Sequence, residues 1–167
     1  MYSIPITFKN LTEVSLYDAY GQVGVYVLWH GRSQIKPLRI GQGQILHRFA
    51  SHVRNKAYYW PIYGVVGLLG DETAKNMIDA KVIESALLHV SREINRFPTD
   101  NSNLGEVNSI RYLLNRYNNL LKVHVKGRDP FLRMSDLSNK PLYNTKTIEI
   151  NMDELDDLFF IHQWHAR

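Results

Sequence analysis

The first strongly patterned stretch of the chain is Val23–Trp29, a run of β-branched, aromatic and aliphatic residues (VGVYVLW) that predicts a β-strand. His30-Gly31-Arg32-Ser33 follows with residues typical of a hairpin turn. A second short strand is expected at Pro37–Ile40, closing with a glycine turn at Gly41-Gln42-Gly43. The pattern therefore predicts two antiparallel strands that feed a glycine-containing turn.

The spacing of apolar residues then changes from strand to helix. Between Gln44 and Asn55 they recur at intervals of three and four, which predicts a helix and places Arg48 and His52 together on one of its faces. Trp60–Leu69 (WPIYGVVGLL) is apolar and β-rich, with its proline near the start as a strand tolerates. We therefore expect a third strand after the helix.

A second, longer helix is expected to open at Asp71 and Glu72, because acidic residues in a first turn suit the helix dipole. Its apolar stripe is predicted to face the core. Glu84 lies on the flank of that stripe, where a carboxylate is partly shielded from water. The segment Asn95–Asn103 (NRFPTDNSN) is rich in turn residues and is predicted to be the loop that ends the helix.

Beyond Gly105 the pattern predicts a helix at Glu106–Leu121, a strand at Lys122–Lys126, a strand at Lys146–Ile150 and a helix at Met152–Trp164. The expected fold class is thus α/β in the α+β sense, with a small central three-stranded antiparallel sheet flanked by helices and a C-terminal α/β extension. The expected divisions are an N-terminal lead (1–22), a core (23–104) and an extension packed on the core (105–167).

Composition narrows the chemistry. Twenty Lys and Arg residues against sixteen Asp and Glu give a formal charge of +4, a mild bias toward polyanions. With no cysteine, disulfides, thiolate zinc sites and a cysteine nucleophile are excluded, so any metal must bind oxygen or nitrogen. No stretch approaches the roughly 20 apolar residues of a membrane span. We expect a cytoplasmic or other intracellular protein without a signal peptide or membrane segment.

The order hairpin, helix, strand, helix, with Gly24-Val25-Tyr26 on the first strand and Arg39-Ile40-Gly41 on the second, resembles the GIY-YIG nuclease family. The resemblance covers roughly residues 23 to 103. It is carried most by the stretch from Arg39 to His52. The main departure is Arg39, which stands where the family has its second tyrosine.

The resemblance implies a metal-dependent endonuclease that hydrolyses phosphodiester bonds by a one-metal mechanism. Tyr26 would orient or deprotonate the attacking water, and its phenolate would need a nearby cation because the ordinary pKa of tyrosine is about 10. Arg48 would bind the scissile phosphate with its planar fork of donors. Glu84 would hold Mg²⁺ or Mn²⁺, ions that keep several waters and need few protein carboxylates.

Two further residues follow from the resemblance. His52, one turn after Arg48, would hydrogen-bond the attacking water or Tyr26. Asn101 would brace the site, with Asn95 and Asn103 as rival assignments in the same loop.

Contacts to nucleic acid, DNA in preference to RNA, are expected from a set of cations: Arg39, Arg48, Arg54 and Lys56. Tyr58 or Tyr59 could replace the missing second tyrosine. Cutting both strands from one site per chain would need a homodimer or two sequential events, and the sequence leaves both open.

Other interpretations remain at this point. The chain could be a catalytically weak or inactive nucleic-acid-binding module of the same fold, or an unrelated interaction domain with a similar order of elements. Tyr26 could be an ordinary core tyrosine, and Arg48 with His52 could form a solvated helix face. Glu84 could be the ion-pair partner of Lys81 or His89.

Overall fold

The computed structural model of the chain describes residues 1–30, 35–54, 62–101, 107–117, 120–131, 146–151 and 160–162, with side chains for all of these except 50–54, 62, 107–109, 151 and 160–162. The strands are β1 Tyr2–Asn10, β2 Gln22–His30, β3 Arg39–Gln44, β4 Ile62–Asp71, β5 Leu120–Gly127, β6 Lys146–Asn151 and β7 Phe160–His162. The helices are α1 Leu16–Ala19, α2 Ile45–Arg54, α3 Ala74–Glu93 and α4 Val107–Arg116, and a 3-10 turn spans Leu11–Glu13.

The strands of the described residues form one mixed sheet in the order β3-β2-β4-β1-β5-β6-β7. β1 pairs in parallel with β5, and the other neighbours pair antiparallel. The centre of the sheet is β1, in which every second residue from Ile4 to Asn10 is buried while the residues between them are exposed. This alternation is the period of a strand with one face on the core.

The α+β class is confirmed, but the expected three-stranded sheet is wrong in size, because the described residues contribute seven strands to it. β3, β2 and β4 do lie side by side and antiparallel, and the sheet continues past β4 through β1. One continuous sheet thus passes through the expected lead, core and extension.

The predicted helix at Met152–Trp164 is wrong at Phe160–His162, which form β7 and pair antiparallel with β6. Residues 152–159 and 163–164 lie outside the described part. Pairing with β6 gives the backbone of β7 hydrogen-bond partners on one side, an interaction with another segment that local periodicity does not record.

Helix boundaries follow local capping. Gln44 accepts a hydrogen bond from the backbone N–H of His47 through its side-chain oxygen at 2.6 Å, just before α2 begins. At α3, the expected acidic first turn is wrong: Asp71 ends β4, and Thr73 is the N-cap, with its Oγ1 accepting from the N–H of Asn76 at 3.1 Å.

The sheet has two unlike faces. We call one the α3/α4 face, because the buried residues of α3 and α4 pack there against alternate residues of the strands, including Val25 and Val27 of β2. We call the other the α1/α2 face, where Tyr26 and Leu28 pack with residues of α1 and α2. Among the helices of the described residues, none has the length together with the apolar character that a bilayer crossing requires.

Candidate active site

Tyr26 occupies the middle of β2, on the α1/α2 face, and is only 1% exposed. Its sheet partners are Gly41 on β3 and Val66 on β4. The ring lies across Gly41, where an added Cβ would collide with the phenolic oxygen. Phe49 of α2 meets the ring edge to face, with centroids 5.3 Å apart. The ring is therefore held between a strand backbone and a helix.

The glycines of the expected turn lie instead inside strand β3, which continues to pair with β2 as far as Gln44. Gly41 and Gly43 are two residues apart, so both open the same face of the strand. Gly43 has φ +130°, and an added Cβ would lie 2.8 Å from Nε of Arg48. The absence of two side chains thus makes room for Tyr26 and Arg48 to lie across the edge strand.

Charged groups from three elements surround the Tyr26 hydroxyl. The guanidinium groups of Arg39 on β3 and Arg48 on α2, and the carboxylate of Glu84 on α3, all act on its pKa, and Arg39 hydrogen-bonds it. Arg48 is exposed, and Glu84 is half-buried. The structure therefore places Arg39, Arg48 and Glu84 within electrostatic reach of the Tyr26 hydroxyl, at the β3 edge of the sheet.

The pKa of Tyr26 is raised, with burial of the phenol as the largest cause. Arg39 and Arg48 oppose this rise, and Glu84 adds to it. The cations that a phenolate would need are thus present, but burial outweighs them. At neutral pH Tyr26 is a neutral hydroxyl, suited to donating or accepting a hydrogen bond rather than removing a proton.

Arg39 has a second partner that sequence reasoning missed. Its Nη1 lies 3.6 Å from Oδ2 of Asp100, with the two side chains 34% and 44% exposed. A pair this exposed contributes at most about 1 kcal/mol, so its importance is orientation. Sixty residues separate the two in the chain, and the only sequence signal was the place of Asp100 in the turn-rich loop next to Asn101.

Asn101 binds the outer edge of β3 through both ends of its side-chain amide. Oδ1 accepts from the N–H of Ile40 at 2.9 Å, and Nδ2 donates to the carbonyl of Ile40 at 3.0 Å. The N–H of Asp100 also donates to the carbonyl of Leu38 at 2.8 Å. The loop therefore holds the edge strand between Arg39 and Gly41 in place. Of the rival assignments, Asn95 lies at the end of α3 with φ 57°, and Asn103 lies outside the described residues.

Several expected residues cannot be placed. His52 and Arg54 lie in α2, but their side chains fall outside the described part, as do Lys56, Tyr58 and Tyr59 entirely. His89 can be placed, and it is an unsuitable ion-pair partner for Glu84. It is 2% exposed, its Nδ1 lies 2.8 Å from the carbonyl oxygen of Ser85, and burial lowers its pKa, which favours the neutral ring.

The expected metal has limited protein ligation. Among the described residues, no group of three His, Asp or Glu side chains is placed to hold an ion. Glu84 supplies one carboxylate, and Arg39 and Arg48 act on the same Tyr26 hydroxyl as Glu84, so their positive charge opposes the binding of a cation here. A divalent ion fits here once a phosphate supplies further negative charge and oxygen ligands, which is how Mg²⁺ commonly binds.

Neither a family model, nor a curated protein, nor a solved structure matches this chain significantly. Its function must therefore follow from the residues of the site.

Proposed function

We propose that this chain is a divalent-metal-dependent endonuclease that hydrolyses phosphodiester bonds in DNA, built on a GIY-YIG-like core of β2, β3, β4, α2 and α3. One observation carries the proposal. Tyr26 and Arg48 lie across the two glycines of the edge strand β3, and Glu84 of α3 acts electrostatically on the same Tyr26 hydroxyl. A core tyrosine with no function needs neither the arginine nor the carboxylate beside it.

In this proposal Arg48 donates its fork of N–H groups to two oxygens of the scissile phosphate and offsets the charge that accumulates there. Arg39 adds a second guanidinium where the family has a tyrosine. The neutral hydroxyl of Tyr26 orients the attacking water through a hydrogen bond. Glu84 would hold the metal, which when bound polarises the phosphate and acidifies a water molecule. Asn101 keeps the edge strand in register with these groups.

A second candidate function is nucleic-acid binding without cleavage. Two observations favour it: Tyr26 is 1% exposed, and Arg39 already hydrogen-bonds its hydroxyl. Both features limit the access of water to that hydroxyl. The binding module and the enzyme share the two arginines, so Glu84 is the residue that separates them.

The deciding experiment is nicking of supercoiled plasmid with Mg²⁺, Mn²⁺ or EDTA, together with cleavage of single-stranded RNA. We expect wild type to cleave DNA with either metal and not with EDTA. Glu84→Gln should lower the rate by about 10²-fold or more, the usual scale for losing a main electrostatic contribution to catalysis. Glu93→Gln is the matched control, because Glu93 is an exposed carboxylate on the same helix.

Equal rates for Glu84→Gln and wild type would overturn the assignment of the site. If folded wild type shifts DNA on gels but cuts neither substrate with either metal, the enzyme is excluded and the binding module is favoured. Cleavage of RNA alone would support phosphodiester hydrolysis but show that the substrate is RNA and not DNA.

A further inference from the structure

A groove outside the candidate site lies between the first two turns of α3, the C-terminal half of α4 and the start of β1. Its volume is about 310 Å³, near the lower end of the range for small-molecule sites. The side chains that give it chemical character are Tyr2, Lys75, Asp79, Tyr112, Arg116 and Tyr117. Aromatic rings and cations therefore line the same small space.

The aromatic side of the groove is ordered by ring contacts. Tyr2 stacks on Tyr117 with centroids 4.4 Å apart and an interplanar angle of 20°. The guanidinium carbon of Arg116 lies 5.9 Å from the centroid of Tyr117, and its Nη1 donates to the Tyr112 hydroxyl at 3.3 Å. Tyr112 is 52% exposed. The rim thus presents an accessible ring beside a cation.

The charge of the groove is positive at its mouth. Asp79 is 3% exposed and accepts from Tyr2 at 2.8 Å and from Lys75 at 2.9 Å, so both its oxygens are occupied. The Lys75 side chain is 70% exposed despite this contact. Within the described residues no ion pair joins Arg116 to a carboxylate, and its contacts are with tyrosines. Anions at the mouth therefore meet cations, while the one acid lies beneath them.

We infer that this groove binds one nucleotide of a single-stranded nucleic-acid segment, with the base against Tyr112 and the adjoining phosphate on Arg116 and Lys75. Aromatic rings accept any base by stacking, and neighbouring cations track the backbone, which is the common chemistry of single-strand binding. The inference rests on the proposed function in one respect: the nucleotide bound here belongs to the nuclease substrate and lies to one side of the bond that is cleaved.

The position of the groove suits a flank rather than the cleaved bond. Lys75 and Glu84 are nine positions apart on α3, an axial distance of about 14 Å. Asp79 and Glu84 are five positions apart, which places them roughly 140° from each other around the helix axis. The groove and the site thus lie on different flanks of one helix.

The test is fluorescence anisotropy of a labelled single-stranded DNA oligonucleotide in EDTA, so that binding is measured without cleavage. Tyr112→Ala should raise Kd about tenfold, the scale of one lost base stack. Arg116→Gln should reduce the slope of log K against log salt by about 0.7, the value for one phosphate contact on a single strand. Arg111→Gln is the matched control, since Arg111 is an exposed arginine of α4 that does not line the groove.

Unchanged Kd and salt slope in both groove variants would overturn the inference, as would wild type that binds dAMP but not the oligonucleotide. A salt slope lowered equally by Arg111→Gln would also overturn it, because the effect would then be general charge. The plasmid assay with Glu84→Gln is independent of these readouts. If wild type does not cleave the plasmid, the proposed enzymatic function is excluded while the binding results remain valid. If wild type cleaves it but the groove variants bind with unchanged Kd and salt slope, only the binding role of the groove is excluded.

Discussion

The two faces of the sheet differ in how many apolar residues they bury and in the surroundings that each gives to a tyrosine. The α3/α4 face holds a broad, mainly aliphatic core that draws on six strands, whereas the fully buried residues of the α1/α2 face are few. Tyr2 on the first face donates to Asp79 in a closed network with Lys75. Tyr26 on the second lies against glycine backbone, between opposing charges. Most of the buried apolar core thus lies on the α3/α4 face, whereas Tyr26 and the charged groups that act on it lie at the edge of the α1/α2 face.

The largest expected effect tests the difference in burial with the same substitution on each face. Leu114→Ala removes a side chain of α4 that is 0% exposed within the broad core, and we expect a loss at the upper end of the ~2–5 kcal/mol range for such changes. Leu28→Ala on the α1/α2 face should lie at the lower end, because fewer buried neighbours surround the cavity. Urea unfolding measures both, and equal losses would contradict the contrast between the faces.

A smaller expected effect concerns the glycine beneath Tyr26. Gly41→Ala places a methyl group against the phenolic oxygen, which should cost about 1–3 kcal/mol through overpacking. It should also lower any cleavage activity, because the ring must shift away from Arg48. Thermal unfolding and the plasmid assay measure the two consequences.

The control for this collision is a double-mutant cycle. If the methyl group clashes with the ring, Gly41→Ala should cost much less in a Tyr26→Ala background, where the ring is gone. An equal cost in both backgrounds would place the strain in the strand rather than in the contact with Tyr26.

The smallest expected effect is the pH dependence contributed by Tyr2. Its pKa is raised from 10.0 to about 12, chiefly by burial and then by Asp79. The folded chain therefore keeps this proton where the unfolded chain loses it, so the contribution is complete below pH 10 and is lost as pH rises toward 12. Tyr2→Phe removes one hydrogen bond, worth about 1 kcal/mol. Above pH 10 the free energy of unfolding of this variant should fall less steeply with pH than that of wild type.

Urea midpoints between pH 8 and 12 measure this difference. Tyr17→Phe is the matched control, because Tyr17 is 90% exposed. A Tyr2→Phe curve parallel to that of wild type across the whole range would show that the network with Asp79 does not control the proton.

Local patterns predicted the elements around the candidate site. Runs of β-branched, aromatic and aliphatic residues identified β2 and β4, and the helical spacing of apolar residues identified α2 and α3, because composition and spacing are visible in the chain. Tyr26, Arg48 and Glu84 were expected together on grounds of resemblance, and in the structure Arg48 and Glu84 both act electrostatically on the Tyr26 hydroxyl. Their roles in catalysis stay a prediction, and so does the metal.

Misplaced elements share one property. Gly41 and Gly43 were expected in a turn because glycine is the usual turn residue, yet pairing with β2 extends the strand through both. Phe160–His162 were expected in a helix, yet β6 recruits them as a strand. In each case pairing with the preceding strand outweighed the local preference.

The sequence by itself determined the α+β class, the main elements around the site and the residues able to carry charge there. Apolar periodicity and side-chain chemistry are local properties, so they can be identified from the sequence without the tertiary structure. Only the tertiary structure decided that β1 lies in the middle of the sheet, that Asp100 meets Arg39, and that burial raises the pKa of Tyr26 despite two arginines. These depend on strand register and on the exclusion of water, which arise when distant segments pack together.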